Sequence, residues 1–149
     1  MRFKNAIDEL AAAMGLQPVT TDDSGAFSLL FDDRYEVSFS PDDGDGTVVF
    51  HADIGDASAL GGDEARALLE ASLLGAKTGG AAFSIDPAAK RVVIWRRYGE
   101  FADCDDLKTA LAGFLGQVVF WQERLASGQF AAADAAESPR MQLGSFINI

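Results

Sequence analysis

Near the end of the chain, Leu107, Leu111, Phe114, Val118, Trp121 and Leu125 recur at steps of 4, 3, 4, 3 and 4. That spacing places six large apolar side chains on one stripe of a long α-helix. Asp103, Asp105 and Asp106 stand at its start, where carboxylates stabilise the positive end of the helix dipole. Removing six such side chains from water contributes about 9–18 kcal/mol, at roughly 1.5–3 each, before ordering entropy is subtracted. The stripe must therefore lie on an apolar surface built by the rest of the chain, and no cofactor is needed to explain it. With 149 residues, 48% of them hydrophobic, one domain can supply that surface without disulfide or metal staples.

The remaining segments read as that surface. Phe3, Ile7, Leu10 and Met14 share one face of a first helix that Gly15 ends. Phe27, Leu29 and Phe31, then Tyr35, Val37 and Phe39, alternate as strands across "DDR", and "TVVFHADI" resumes the extended pattern after "PDDGDG". A second helix is predicted from about Asp63, with Asp63 as N-cap, to the glycines Gly79 and Gly80. Its Leu68, Leu69, Ser72, Leu73 and Ala76 cover more than one stripe, so two of its sides are expected to be buried. "AAFSID" and "RVVIWRRYG" form a hairpin across "PAAK". The order α-β-β-β-α-β-β-α defines an α+β domain, an antiparallel sheet packed against helices over residues 1–127, with 128–149 as a partly helical or flexible tail. Within the tail, "MQLGSFINI" is apolar enough to dock on its own dimer or in a partner's groove.

A formal net charge of −11 repels phosphate backbones and anionic lipids, so nucleic acid and membrane are poor partners. Between Gln17 and Gly62 ten acids (Asp22, Asp23, Asp32, Asp33, Glu36, Asp42, Asp43, Asp45, Asp53 and Asp56) face the single base Arg34. Most sit in corners where Asp serves as a turn residue; the sharper alternative is an acidic face that limits self-association or attracts a basic partner. The first residues lack the apolar run of a signal peptide, no stretch is long enough for a membrane span, and a lone cysteine, Cys104, fits a reducing compartment. A soluble cytoplasmic protein is expected.

Motifs for catalysis and metal binding fail on geometry. "GAKTGG" has the look of a phosphate loop, but a helix precedes it and a strand follows, the reverse of what converges N–H groups on phosphate. Ala76 also separates Gly75 from Lys77. "DDGDG" read as a calcium loop from Asp43 has Val48 at the glycine position and no glutamate at the twelfth. His51, the only histidine, is expected to form a local ion pair with Asp53, two residues along the same strand face; a metal would want more nitrogen or sulfur ligands. Aspartates beside Cys104 should raise its pKa, and no serine lies in a nucleophile elbow. No enzyme, metal or cofactor is expected.

Surplus apolar surface remains. With Phe27, Leu29, Phe31, Tyr35, Val37, Phe39, Phe83, Ile85, Val92 and Ile94 facing the helices, the opposite face still carries Leu30, Val49, Val93 and Trp95, beside Arg91 and Arg97. Aromatic and arginine anchors amid apolar residues are the composition of protein interfaces; coverage by the tail is the alternative.

The element order in an acidic chain of this length resembles the small class I chaperones of bacterial type III secretion, the Tir-chaperone family. "LAAAMGLQP" is similar to the family's first helix and its exit, and "DDSGAFSLLFDDRYEVSFSPDDGDGTVVFHADIG" to its three strands. "ALLEASLLGAKTGGAAFSIDPAAKRVVIW" resembles its leucine pair, glycines and hairpin, with Ser72 where asparagine is frequent, and "LKTALAGFLGQVVFWQERL" its closing helix. The resemblance implies a homodimer joined through Leu68, Leu69, Ser72, Leu73 and Ala76 with Phe83 or Trp95. It implies capture of the extended N-terminal segment of a secreted effector by Leu10, Met14, Leu30, Val49 and Val93, and release at a secretion ATPase. Two other functions fit an α+β domain of this kind: a regulatory factor of the same fold that binds folded partners outside secretion, and a small-molecule-binding domain, which would need a deep pocket with convergent polar groups.

Overall fold

A computed structural model describes residues 3–16, 26–42 and 44–128. The tail beyond Gly128, the acids Asp22, Asp23 and Asp43, and the "DDSG" corner up to Gly25 lie outside the described residues. The elements are α1 (Phe3–Met14), β1 (Phe27–Phe31), β2 (Tyr35–Asp42), β3 (Thr47–Asp56), α2 (Gly62–Ala71), a 3-10 turn (Leu73–Gly75), β4 (Ala82–Asp86), β5 (Arg91–Tyr98) and α3 (Cys104–Ser127). The five strands form one antiparallel sheet in the order β1-β2-β3-β5-β4. Local hairpins account for β1–β2, β2–β3 and β4–β5. The long-range pairing of β3 with β5 leaves β1 and β4 as the two edges.

Alternation decides which side chains face the helices. Leu29 and Phe31 on β1, Tyr35, Val37 and Phe39 on β2, Val48, Phe50, Ala52 and Ile54 on β3, and Val92 and Ile94 on β5 are all buried. They meet Phe3, Ile7 and Leu10 of α1 and Leu107, Leu111, Phe114, Val118 and Trp121 of α3 in one core. An aromatic cluster joins the layers: Phe50 meets Phe39 edge-on at 4.8 Å and Phe114 at 5.8 Å, while Trp121 meets Phe83 at 5.0 Å.

Helix α3 is more deeply buried than a single stripe requires. Leu115, Gly116, Gln117 and Val119 are buried along with the stripe, because α3 packs on β2 and β3 with one side and on α1 with another. Asp103 caps it, its carboxylate accepting the Asp106 N–H at 2.9 Å, and Gly128 ends it in the left-handed region.

Helix α2 departs from expectation at both ends. It starts at Gly62, with Gly61 as N-cap instead of Asp63; the Gly61 N–H donates to the Glu64 carboxylate at 2.7 Å. It stops at Ala71, well before the glycines, and Leu74 within the following 3-10 turn takes φ +52°. β2 likewise continues through Pro41 and Asp42, so the turn into β3 is shorter than "PDDGDG". Asp42 and Asp45 are turn formers: Asp42 accepts the Gly44 N–H at 2.9 Å, and Asp45 accepts the hydroxyl and N–H of Thr47, which hold its carboxyl below the usual range. Asp56 does the same with Ser58.

Truncating the residue that bridges α3 to β4 tests this packing. Trp121→Ala should lower unfolding free energy by about 3–5 kcal/mol, read as a drop in the urea midpoint with little change in slope.

Candidate protein-binding surfaces

The large hydrophobic side chains left most exposed among the described residues are Leu30, Leu69, Leu73, Leu74 and Ile85. Four of the five come from one run of chain, the end of α2, the turn after it and the edge strand β4. Leu69 is 68% exposed, Leu73 67%, Leu74 97% and Ile85 55%. Ile85 shares its sheet side with Phe83 and pairs with buried Val92. It was expected against the helices, and it lies on their side of the sheet, but it sits on the edge strand where they leave it uncovered.

The segment carrying these leucines is held from beneath. After Leu74 the chain folds back so tightly that a Cβ on Gly75 would stand 2.5 Å from the Gly80 Cα. The Gly80 N–H donates to the Gly75 carbonyl at 3.0 Å. Both glycines have positive φ, as does Gly79, a conformation that is costly for any residue with a Cβ. Thr78 is fully buried, its hydroxyl donating to the Ala81 carbonyl at 2.5 Å. Arg96 of β5 donates to the Gly79 carbonyl at 2.5 Å. The glycines and threonine of "GAKTGG" thus build a compact turn on the sheet, and Lys77 is bonded through its N–H to the Ala71 carbonyl at 3.3 Å.

The dimer residues named from sequence divide by environment. Leu69, Leu73 and Ala76 are exposed and Ser72 is half-exposed, whereas Leu68 is core. Leu68 points the other way round α2, and with Ala71 it fastens the helix to its own domain. Phe83 is half-buried with its ring against Trp121, so most of it serves the domain's own packing. Trp95 lies on the opposite sheet face, half-buried, its indole N–H donating to the Ser84 hydroxyl at 2.8 Å. An interface using both Trp95 and the α2 leucines must wrap around the β4 edge.

The client-binding residues also separate. Leu10 is fully buried beneath α1, because its place on the helix stripe turns it onto the sheet; it cannot offer its side chain to a client. Met14 is half-buried at the end of the same helix, and Leu30 is 40% exposed on edge strand β1. Val49 and Val93 lie on the outer face of β3 and β5, half-buried. The expected outer patch is not continuous: β2 and β3 separate Leu30 from Val93 and Trp95, and each apolar residue is paired across strands with a polar one. Leu30 faces Glu36, Val49 faces Arg97, Trp95 faces His51 and Val93 faces Asp53.

Those polar groups bond differently from expectation. His51 sits 3.3 Å from the Ser40 hydroxyl, while Asp53 pairs with Arg91 at 2.6 Å; the arginine on the neighbouring strand reaches the carboxylate that His51 was expected to hold. Burial lowers the His51 pKa. Loss of water contact, then Glu9 and the nearby aspartates, raise that of Cys104. Among the described residues no group of three or more His, Cys, Asp or Glu could hold a metal ion, and no helix is long and apolar enough to cross a membrane.

Comparison with known proteins gives this geometry a context. Residues 5–122 match the pattern of the "Tir chaperone protein (CesT) family". The chain belongs to that family. Solved structures also share this fold. The ExsC–ExsE complex matches with a TM-score of 0.69 at 23% identity, over 81% of this chain and 91% of the other. The HopA1–SchA chaperone–effector complex matches at 0.64 and 19%, over 81% and 93%. The Yersinia pestis type III secretion chaperone SycH, solved with a stable fragment of YscM2, matches at 0.60 and 16%, over 78% and 97%. No curated protein matches by sequence. The α+β fold read from the element order is therefore that of the type III secretion chaperones.

Two measurements check the local chemistry of this Tir-chaperone family member. Gly75→Ala must accommodate both a positive φ and a backbone clash, so it should cost about 1–3 kcal/mol in urea unfolding. For His51, the folded pKa is the lower one, so the unfolded chain takes up the proton first. Stability should be full above about pH 6.5 and fall as pH drops from there, and His51→Gln should flatten that slope between pH 7.5 and 5.5.

Proposed function

We propose that this protein is an ATP-independent type III secretion chaperone. It acts as a homodimer on the extended N-terminal segment of an effector and keeps that segment soluble and ready for secretion. The observation that carries the reading is the concentration of Leu69, Leu73, Leu74 and Ile85 beside an edge strand in a family of secretion chaperones. Monomers seldom leave such a run of apolar side chains in water, and a second copy of the same surface would bury both.

The opposite edge supports client capture. Among the described residues β1 pairs on one side only, so its outer edge can hydrogen-bond an extended segment whose alternate side chains reach Leu30 and Met14. Two such edges on one dimer raise the effective concentration of the second contact once the first has formed. Ordering the client costs free energy, which keeps the complex separable at a secretion ATPase without nucleotide chemistry in the chaperone. The relatives solved as chaperone–effector or chaperone–fragment complexes support the same reading by analogy.

Light scattering after size exclusion should give twice the monomer mass. Leu73→Asp should weaken the dimer by more than about a hundredfold, since an unpaired charge in an apolar seam costs about 3–5 kcal/mol. A monomeric wild type, or a variant that dimerises as well as wild type, would refute this interface. Limited proteolysis of a co-purified effector should leave one protected N-terminal stretch, and Leu30→Asp should abolish that protection while the dimer persists.

A further inference from the structure

On β5, Arg96 occupies an inward position: it is paired across strands with Phe50, on the face otherwise filled by Val92 and Ile94. A charged side chain there needs a reason. Its guanidinium lies over the Tyr98 ring at 4.6 Å and donates to the Gly79 carbonyl at 2.5 Å. Gly80 comes so close that a Cβ there would stand 2.9 Å from the Arg96 Cζ. Gly80 in turn lies against Gly75, and Gly75 follows Leu74 directly. One unbroken series of contacts therefore runs from the sheet, through Arg96 and two glycines, to the most exposed hydrophobic side chain of the five.

Leu74 needs such support. A bulky residue in the left-handed region is strained, and it stays there only when its surroundings over-determine the backbone. We infer that Arg96 is a positioning residue for self-association: by clasping Gly79 and Gly80 it holds Leu74 in its left-handed conformation, projecting toward the second copy. The inference rests on the homodimer proposed above. An arginine suits the task, because its planar group can stack on Tyr98 and direct an N–H at a carbonyl together. A methionine of similar length would keep the volume and lose both.

The test is a double-mutant cycle on the full chain, with dimer dissociation constants from sedimentation equilibrium and folding checked by far-ultraviolet circular dichroism. Arg96→Met should weaken the dimer by at least about tenfold. Arg96→Lys, which keeps one donor for Gly79, should recover at least about threefold of that loss. In a Leu74→Ala background, Arg96→Met should change the constant by less than about twofold, because the group it positions is already gone. An equal loss in both backgrounds, a wild-type constant for Arg96→Met, or no recovery with lysine overturns the positioning role while leaving the homodimer standing. A monomeric wild type overturns the homodimer itself, and this role with it. Should Arg96→Met fail to fold, the same cycle run with Arg96→Lys decides between these outcomes.

Discussion

The seating of α3 on the inner face of the sheet is the contact on which the other elements depend. Its mid-section is buried against the sheet on one side and α1 on another, so the sheet's inner face, the first helix and the turn before β4 all meet on it. Trp121 stands at the junction, edge-on to Phe83 of β4 and donating through its indole N–H to Gln117 at 3.1 Å. Gln117, itself buried, lies 3.1 Å from where a Cβ on Gly79 would stand. A polar pair inside an apolar helix face costs free energy unless its hydrogen bonds are made, and here they are made where the glycine turn meets the helix.

Strand order distributes the surfaces that remain. Because β5 inserts between β3 and β4, the chain must cross the sheet after β3, and α2 with its turn performs that crossing. The crossing helix has only Leu68 and Ala71 to fasten it, which leaves the rest of its apolar residues outside. Among the described residues neither edge strand, β1 or β4, pairs with a further strand. The proposed function needs two kinds of sticky surface, for a second copy and for a client, and the apolar side chains left exposed lie at two different edges of the sheet, Ile85 on β4 and Leu30 on β1.

Much of this was legible in the residues. The 4-3-4-3-4 stripe specified α3, the breaks at "DDR", "PDDGDG" and "PAAK" specified the hairpins, and their order specified the fold class, because each signal acts within a few residues. The second helix was read less well: its leucines suggested a helix running to Gly79, whereas Gly75 and Gly80 must touch, and that contact ends the helix at Ala71. Which apolar side chains stay outside was legible only in part. Leu69 and Leu73 were expected in an interface and are exposed; Leu10 and Leu68 were assigned to surfaces and are core. Leu74 and Arg96 went unremarked, since a leucine after a leucine and an arginine in a basic strand carry no signal of their own.

Sequence alone settled the periods and the turns, since helix stripes, strand alternation and Asp or Gly corners are local consequences of side-chain shape and backbone freedom. Tertiary structure decided which apolar faces find a cover. Burial depends on what lies opposite, and that followed from β5 entering beside β3, a pairing between segments some forty residues apart that no local pattern encodes.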